Sequence, residues 1–147
     1  MNESCKICSL EISHSELIFD SPHWRVRHSE ETKIPGYCIL ESKRHFLDLS
    51  YAAPEELADY GLILSALMKV QHQVLKIERI YTFSLAEAVP HYHLHVIPRA
   101  AEFPRAFKGR GIMSYPTLPS LDLSLKASMI SRMKIELKRV MPELSGA

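Results

Sequence analysis

No stretch of this chain is apolar for long enough to cross a bilayer, and its formal net charge is only +1. The first absence argues against a membrane-spanning protein. The second removes the bulk field that would draw the chain to nucleic acid polymers or anionic membranes. The opening run, Met1-Asn2-Glu3-Ser4-Cys5-Lys6, lacks the apolar core of a secretory signal, so the expected compartment is the cytoplasm. Cysteine is scarce, three residues in all, an odd number that disfavours a disulfide framework. Repeats, low-complexity tracts and interdomain linkers are also absent. The 147 residues, 46% hydrophobic and 24% charged, are therefore expected to form one domain over 1–147 with a substantial core.

What is present is patterned. Leu17–Asp20 and Trp24–His28 read as short strands joined by turn chemistry at Ser21-Pro22. Ile34-Pro35-Gly36 is a second turn, leading into a strand at Tyr37–Leu40. Pro54 suits the first turn of a helix. From there Leu57, Tyr60, Leu64, Leu67, Met68 and Leu75 recur at helical spacing to about Glu78. Its cap is weak, because Ala53 offers no side-chain acceptor. Ile80–Leu85 is β-prone. A second helix is expected to begin near Asp122–Ser124, with an apolar stripe of Ile130, Met133, Leu137, Val140 and Met141, and to end at Pro142. Strands, a long helix, two more strands, a long loop and a last helix imply an α+β fold with an antiparallel sheet.

The densest chemistry lies in Val89-Pro-His-Tyr-His-Leu-His-Val-Ile-Pro98-Arg99. His91, His93 and His95 alternate with Tyr92, Leu94 and Val96. On a strand this puts the three imidazoles on one face. A helix would place His91 and His95 at metal-binding spacing. Pro90 and Pro98 leave it too little room, and the strand is preferred. Three histidines on one face suit work on a phosphate or a metal. Cys5-Lys6-Ile7-Cys8 has the spacing of two thiolates reaching one ion, or of a redox pair. Cys38 reads as a small buried hydrophobe in a strand. His14, His23, His28 and His72 read as ordinary polar positions.

The run His91-Tyr-His-Leu-His-Val-Ile, followed by Pro98-Arg99, resembles the motif of the histidine triad (HIT) family. The resemblance extends over most of the chain: Cys-x-x-Cys near the N-terminus, Pro35-Gly36 closing the first strands, and Ser42-Lys-Arg-His45 before the long helix. It implies a five-stranded antiparallel sheet with one long central helix and a C-terminal helix, commonly in a homodimer. It implies a nucleotide hydrolase or transferase acting at an α-phosphate, on substrates such as dinucleoside polyphosphates or nucleoside phosphoramidates. His93 is then the nucleophile, forming a nucleotidyl-histidine intermediate, and His95 donates to the phosphoryl oxygens. Zinc-containing relatives supply a histidine before the long helix and the first of the triad, so the resemblance implies a structural zinc site of Cys5, Cys8, His45 and His91.

The chain departs from the family pattern just before the triad. Many members carry a Gly-Gln pair and a Ser or Thr there; this chain has Ala86-Glu87-Ala88. A carboxylate at Glu87 repels phosphate unless it is protonated or turned away, and Ser84 is the candidate to replace the missing hydroxyl. Substrate contacts are therefore expected from His95, Arg99, Ser84 and Glu87. The loop beyond carries Arg105, Lys108 and Arg110 beside Gly109 and Gly111, a composition that suits either a polyphosphate or solvent. Two other functions fit the same residues. One is a metal-dependent hydrolase with the three histidines as catalytic ligands and Glu87 as base. The other is a noncatalytic zinc-stabilised nucleotide-binding protein.

Overall fold

The computed structural model describes residues 4–10 and 17–141. Within them a single antiparallel sheet carries five strands, β1 (Leu17–Asp20), β2 (Trp24–His28), β3 (Cys38–Ser42), β4 (Arg79–Phe83) and β5 (His93–Arg99), in the spatial order β1-β2-β3-β5-β4. Helix α1 (Pro54–Val74) joins β3 to β4, and α2 (Leu123–Val140) follows a loop containing short 3-10 turns at Arg105–Phe107 and Gly109–Ser114. The expected α+β class and the five-stranded sheet are both present. Pro142 and His14 lie outside the described residues.

Local chemistry explains the boundaries. Pro54 starts α1 without needing an amide donor. Ala53 cannot cap, but the Glu56 carboxylate reaches back to accept from the Ala53 amide at 2.8 Å. The helix ends at Leu75, short of Glu78. At α2 the Asp122 carboxylate accepts from the amides of Ser124 and Leu125. Gly36 closes the turn before β3 with φ +82, a left-handed geometry that costs glycine little.

Register divides the sheet into two faces. Val26 pairs with Leu40 and Leu40 with Leu94, while Cys38 pairs with Val96. These side chains pack under α1 and α2 in one core with Ile63, Leu67, Val70, Met133 and Leu137. Truncating a fully buried member such as Leu67 to alanine should cost about 2–5 kcal/mol. The buried stripe of α1 is Ile63, Ala66, Leu67, Val70 and Gln71, whereas Leu57 is exposed. Of the expected stripe, Leu67 is in the core and Tyr60, Leu64, Met68 and Leu75 pack against it, so only Leu57 departs; leucines stand on several sides of this helix, and spacing alone does not choose among them. Cys38 is buried, as read from the sequence. Trp24 is fully buried, donates its indole N–H to the Glu56 carbonyl at 2.8 Å, and packs against Tyr60, Phe46 and Tyr92.

The other face bears the polar rows. Arg25, Glu41 and His93 are successive partners across β2, β3 and β5. Arg27, Ile39, His95 and Phe83 form the next row, across β2, β3, β5 and β4. Residue pairs directly opposite in a ladder project to the same side, so these rows bring the arginines onto the triad's face.

Candidate active site and metal cluster

The three histidines do not remain equivalent. Strand β5 begins at His93, so His91 precedes it, and its ring is fully buried and lies edge-on to His45 with centroids 5.0 Å apart. His91 Nε2 lies 2.7 Å from the Ser42 carbonyl, which can only accept. Nε2 therefore carries the proton, and Nδ1 presents its lone pair. That atom lies 3.4 Å from Cys5 Sγ, 3.5 Å from Cys8 Sγ and 3.1 Å from His45 Nδ1, with Cys8 Sγ 3.3 Å from His45 Nδ1. The four ligand atoms all fall within 4.8 Å of one another.

These separations fit one ion. A tetrahedral zinc bound at about 2.05 Å by nitrogen and 2.3 Å by sulfur has edges of about 3.3 Å between nitrogens and about 3.6 Å between nitrogen and sulfur. Burial depresses the His91 pKa, which keeps its ring in the neutral form that binds metal. With four protein ligands the arrangement is closed, the pattern of a structural metal site.

His93 sits one row into the sheet. Its Nδ1 is 2.7 Å from the His91 carbonyl, so Nδ1 is the donor, and in the neutral ring Nε2 keeps its lone pair. His95 Nδ1 is 2.7 Å from the Tyr37 hydroxyl, and its ring stacks on Phe83 with centroids 4.4 Å apart. Burial, then the charges of His93 and Arg27, lower the His95 pKa to about 4. The ring is therefore neutral near pH 7. With Tyr37 donating to Nδ1, its Nε2–H is the free donor. Beside it Tyr37, Phe83, Ile97, Ile34, Met113 and Tyr115 line a hollow of about 120 Å³.

The remaining expected contacts are placed differently. Arg99 is buried and committed to Glu78, the Tyr81 hydroxyl and the Ala100 carbonyl. Lys108 donates to the Ala101 carbonyl at 2.9 Å. Ser84 directly follows Phe83, the β4 partner of His95, and is half-buried. Glu87 is exposed in the connection to β5, in no ion pair among the described residues. Ala86 adopts φ 53, left-handed backbone that an L residue occupies only under strain.

A model of the HIT domain family matches residues 11–102. The chain belongs to the HIT domain family. No curated protein sequence matches it. Among solved structures, a histidine triad protein from Bradyrhizobium japonicum superposes with a TM-score of 0.70 at 17% identity, covering 86% of this chain and 97% of that one. A Zn-bound histidine triad family protein from Mycobacterium smegmatis gives 0.69 at 16% identity, covering 95% and 96%. The diadenosine triphosphate hydrolase of Plasmodium falciparum, solved with cyclomarin A, gives 0.56 at 18% identity, covering 91% and 79%. At these identities the likeness shows a shared HIT fold.

Sequence reasoning missed Tyr37, Phe83, Arg25, Arg27 and Glu41. The signal for the arginines was available: Trp24-Arg25-Val26-Arg27-His28 alternates, which puts both on the face opposite the core. Glu41, interrupting the apolar run of β3, was the companion signal. Tyr37 and Phe83 carry no local signal, because only strand pairing brings them to His95.

Proposed function

We propose that this HIT protein is a nucleotidyl hydrolase or transferase acting at the α-phosphate of a dinucleoside polyphosphate or nucleoside phosphoramidate. The observation that carries the reading is the bond from His93 Nδ1 to the His91 carbonyl, which leaves Nε2 as a nucleophile. Nε2 attacks phosphorus, forming a P–N bond as the bond to the leaving group breaks and that group departs with the electron pair. Water or another acceptor then forms a P–O bond and breaks P–N, restoring His93. Two displacements replace one difficult step. The neutral His95 donates from Nε2 to a phosphoryl oxygen as charge develops there. Ser84, Glu87 and Arg99 remain proposed substrate contacts, with Arg99 acting only if it leaves Glu78.

Cys5, Cys8, His45 and His91 would hold zinc, which supplies a fixed crosslink between the N-terminal loop and the sheet rather than a reacting group. We also infer a homodimer in the cytoplasm, with one domain over 1–147; exposed Leu57 and Leu62 on α1 and the open edge of β4 support self-association. None of the described helices is long and apolar enough to cross a membrane.

The test is to expose wild type and His93→Ala to a dinucleoside polyphosphate labelled at the α-phosphate. Acid-labile label on the wild type alone is the expected result. Full turnover by His93→Ala would sink the proposal, and metal-dependent turnover without labelled protein would favour a metal-dependent hydrolase.

A further inference from the structure

Charge is buried beside the triad in a way the chemistry at His93 does not use. Glu41 is fully buried, and two guanidiniums share it. Arg25 Nη2 bonds Glu41 Oε2 at 3.1 Å and also the Ile7 carbonyl at 3.0 Å, so it is held from two sides. Arg27 bonds Glu41 Oε1 through Nε only. Among the described residues its Nη1 and Nη2 make no hydrogen bond, although the side chain is only 16% exposed. One carboxylate against two arginines leaves an excess positive charge on this face.

Arg27 lies in the row of Ile39 and His95, two strands from the triad. Strand spacing puts its Cα about 10 Å from that of His95, a gap most of which an arginine stem spans. Arg27 also contributes to holding His95 neutral, which places its charge within electrostatic reach of that ring. Two of the cations nearer the triad in sequence are engaged elsewhere: Arg99 and Lys108 both have protein partners. An unmatched, oriented guanidinium fork fits the oxygens of a phosphate better than any neutral group.

Resting on the nucleotide reading above, we propose that Arg27, oriented by Glu41, binds a second phosphate group of the substrate, next to the one attacked by His93. Glu41 is a positioning residue: it aims the fork without touching the ligand. The second phosphate could be linked through an anhydride or borne on the ribose, and the same fork recognises either.

Calorimetric titration of the full-length protein with AMP, ADP and an adenosine bisphosphate carrying its second phosphate on the ribose distinguishes these cases. The wild type should bind one of the two-phosphate ligands more tightly than AMP, and which one identifies the linkage. Arg27→Gln should cut that preference by about tenfold or more. Arg27→Lys, which keeps the charge without the fork, should restore part of it, and it carries the comparison if Arg27→Gln melts early. An unchanged ratio of affinities overturns the proposal, including the case where all affinities fall together, as a purely structural role would give. A wild type that binds none of the three overturns the nucleotide reading and this proposal together.

Discussion

His93 hangs from the backbone of His91: its Nδ1 donates to the His91 carbonyl at 2.7 Å, while the His91 ring faces two cysteines and His45. The proposed nucleophile and the candidate metal cluster thus share one residue. If the cluster holds zinc under the proposed function, removing it, or replacing Cys8 with serine, should lower kcat by about tenfold or more and also lower the melting temperature. Metal content, calorimetry and steady-state rates check this together. A folded, metal-free protein with full activity would show that the carbonyl holds its place without the cluster.

Tyr37 meets His95 Nδ1 at 2.7 Å, and a proton donated by its hydroxyl holds the His95 proton on Nε2. In Tyr37→Phe the proton is free to sit on either nitrogen, and half of the useful donor is lost along with its orientation. The expected result is a kcat lower by about tenfold, with KM changed much less. A KM effect of the same size as the kcat effect would instead make Tyr37 a substrate contact.

Ala86 stands in left-handed backbone at φ 53. Ala86→Gly should be neutral or stabilising by up to about 1 kcal/mol, since relief of strain exceeds the added chain entropy. Ala86→Val should destabilise by about 1–3 kcal/mol. Urea unfolding of the two variants gives the comparison, and a marked loss in Ala86→Gly would refute the strain.

His28 predicts an acid-sensitive fold. It is buried, its Nδ1 donates to the Ser29 carbonyl at 3.0 Å, and its Nε2 accepts from the Gly36 amide at 2.9 Å. Both nitrogens are satisfied only in the neutral ring, and burial lowers the pKa to about 4. The unfolded chain takes up the proton near pH 6.5, so this stabilisation is complete above that pH and is lost as pH falls toward 4. The expected loss is about 3 kcal/mol. Comparing the unfolding of wild type and His28→Gln, both metal-free, at pH 7 and near pH 4 isolates it, because the similarly depressed His95 contributes to both proteins. An NMR titration placing folded His28 near 6.5 would contradict it.

The element order and both helices were legible because helix and strand periods differ along the chain. The three-imidazole row was legible only in part. Alternation through Tyr92 holds for His93 and His95, but strand pairing begins at His93, and His91 turns to the cysteines instead. The ligand set of Cys5, Cys8, His45 and His91 followed from the family resemblance, not from spacing, since the nearest gap between its two halves is 37 residues. Arg99 looked available because it adjoins the triad in sequence. Its partner Glu78 is brought to it by the pairing of β4 with β5, which nothing local announces.

Trp24 is the chain's sole tryptophan, and it lies dry between α1 and the sheet, with Tyr60 at 4.8 Å and Tyr92 at 6.0 Å between ring centroids. Tyr92 sits in the backbone between His91 and His93. Indole emission from this protein therefore has one source, screened from water and excited in part by energy transferred from tyrosines beside the triad. Its wavelength and intensity should follow the seating of the strand that carries His93, so the chain comes with an optical gauge of the order around its histidine triad, with no label attached.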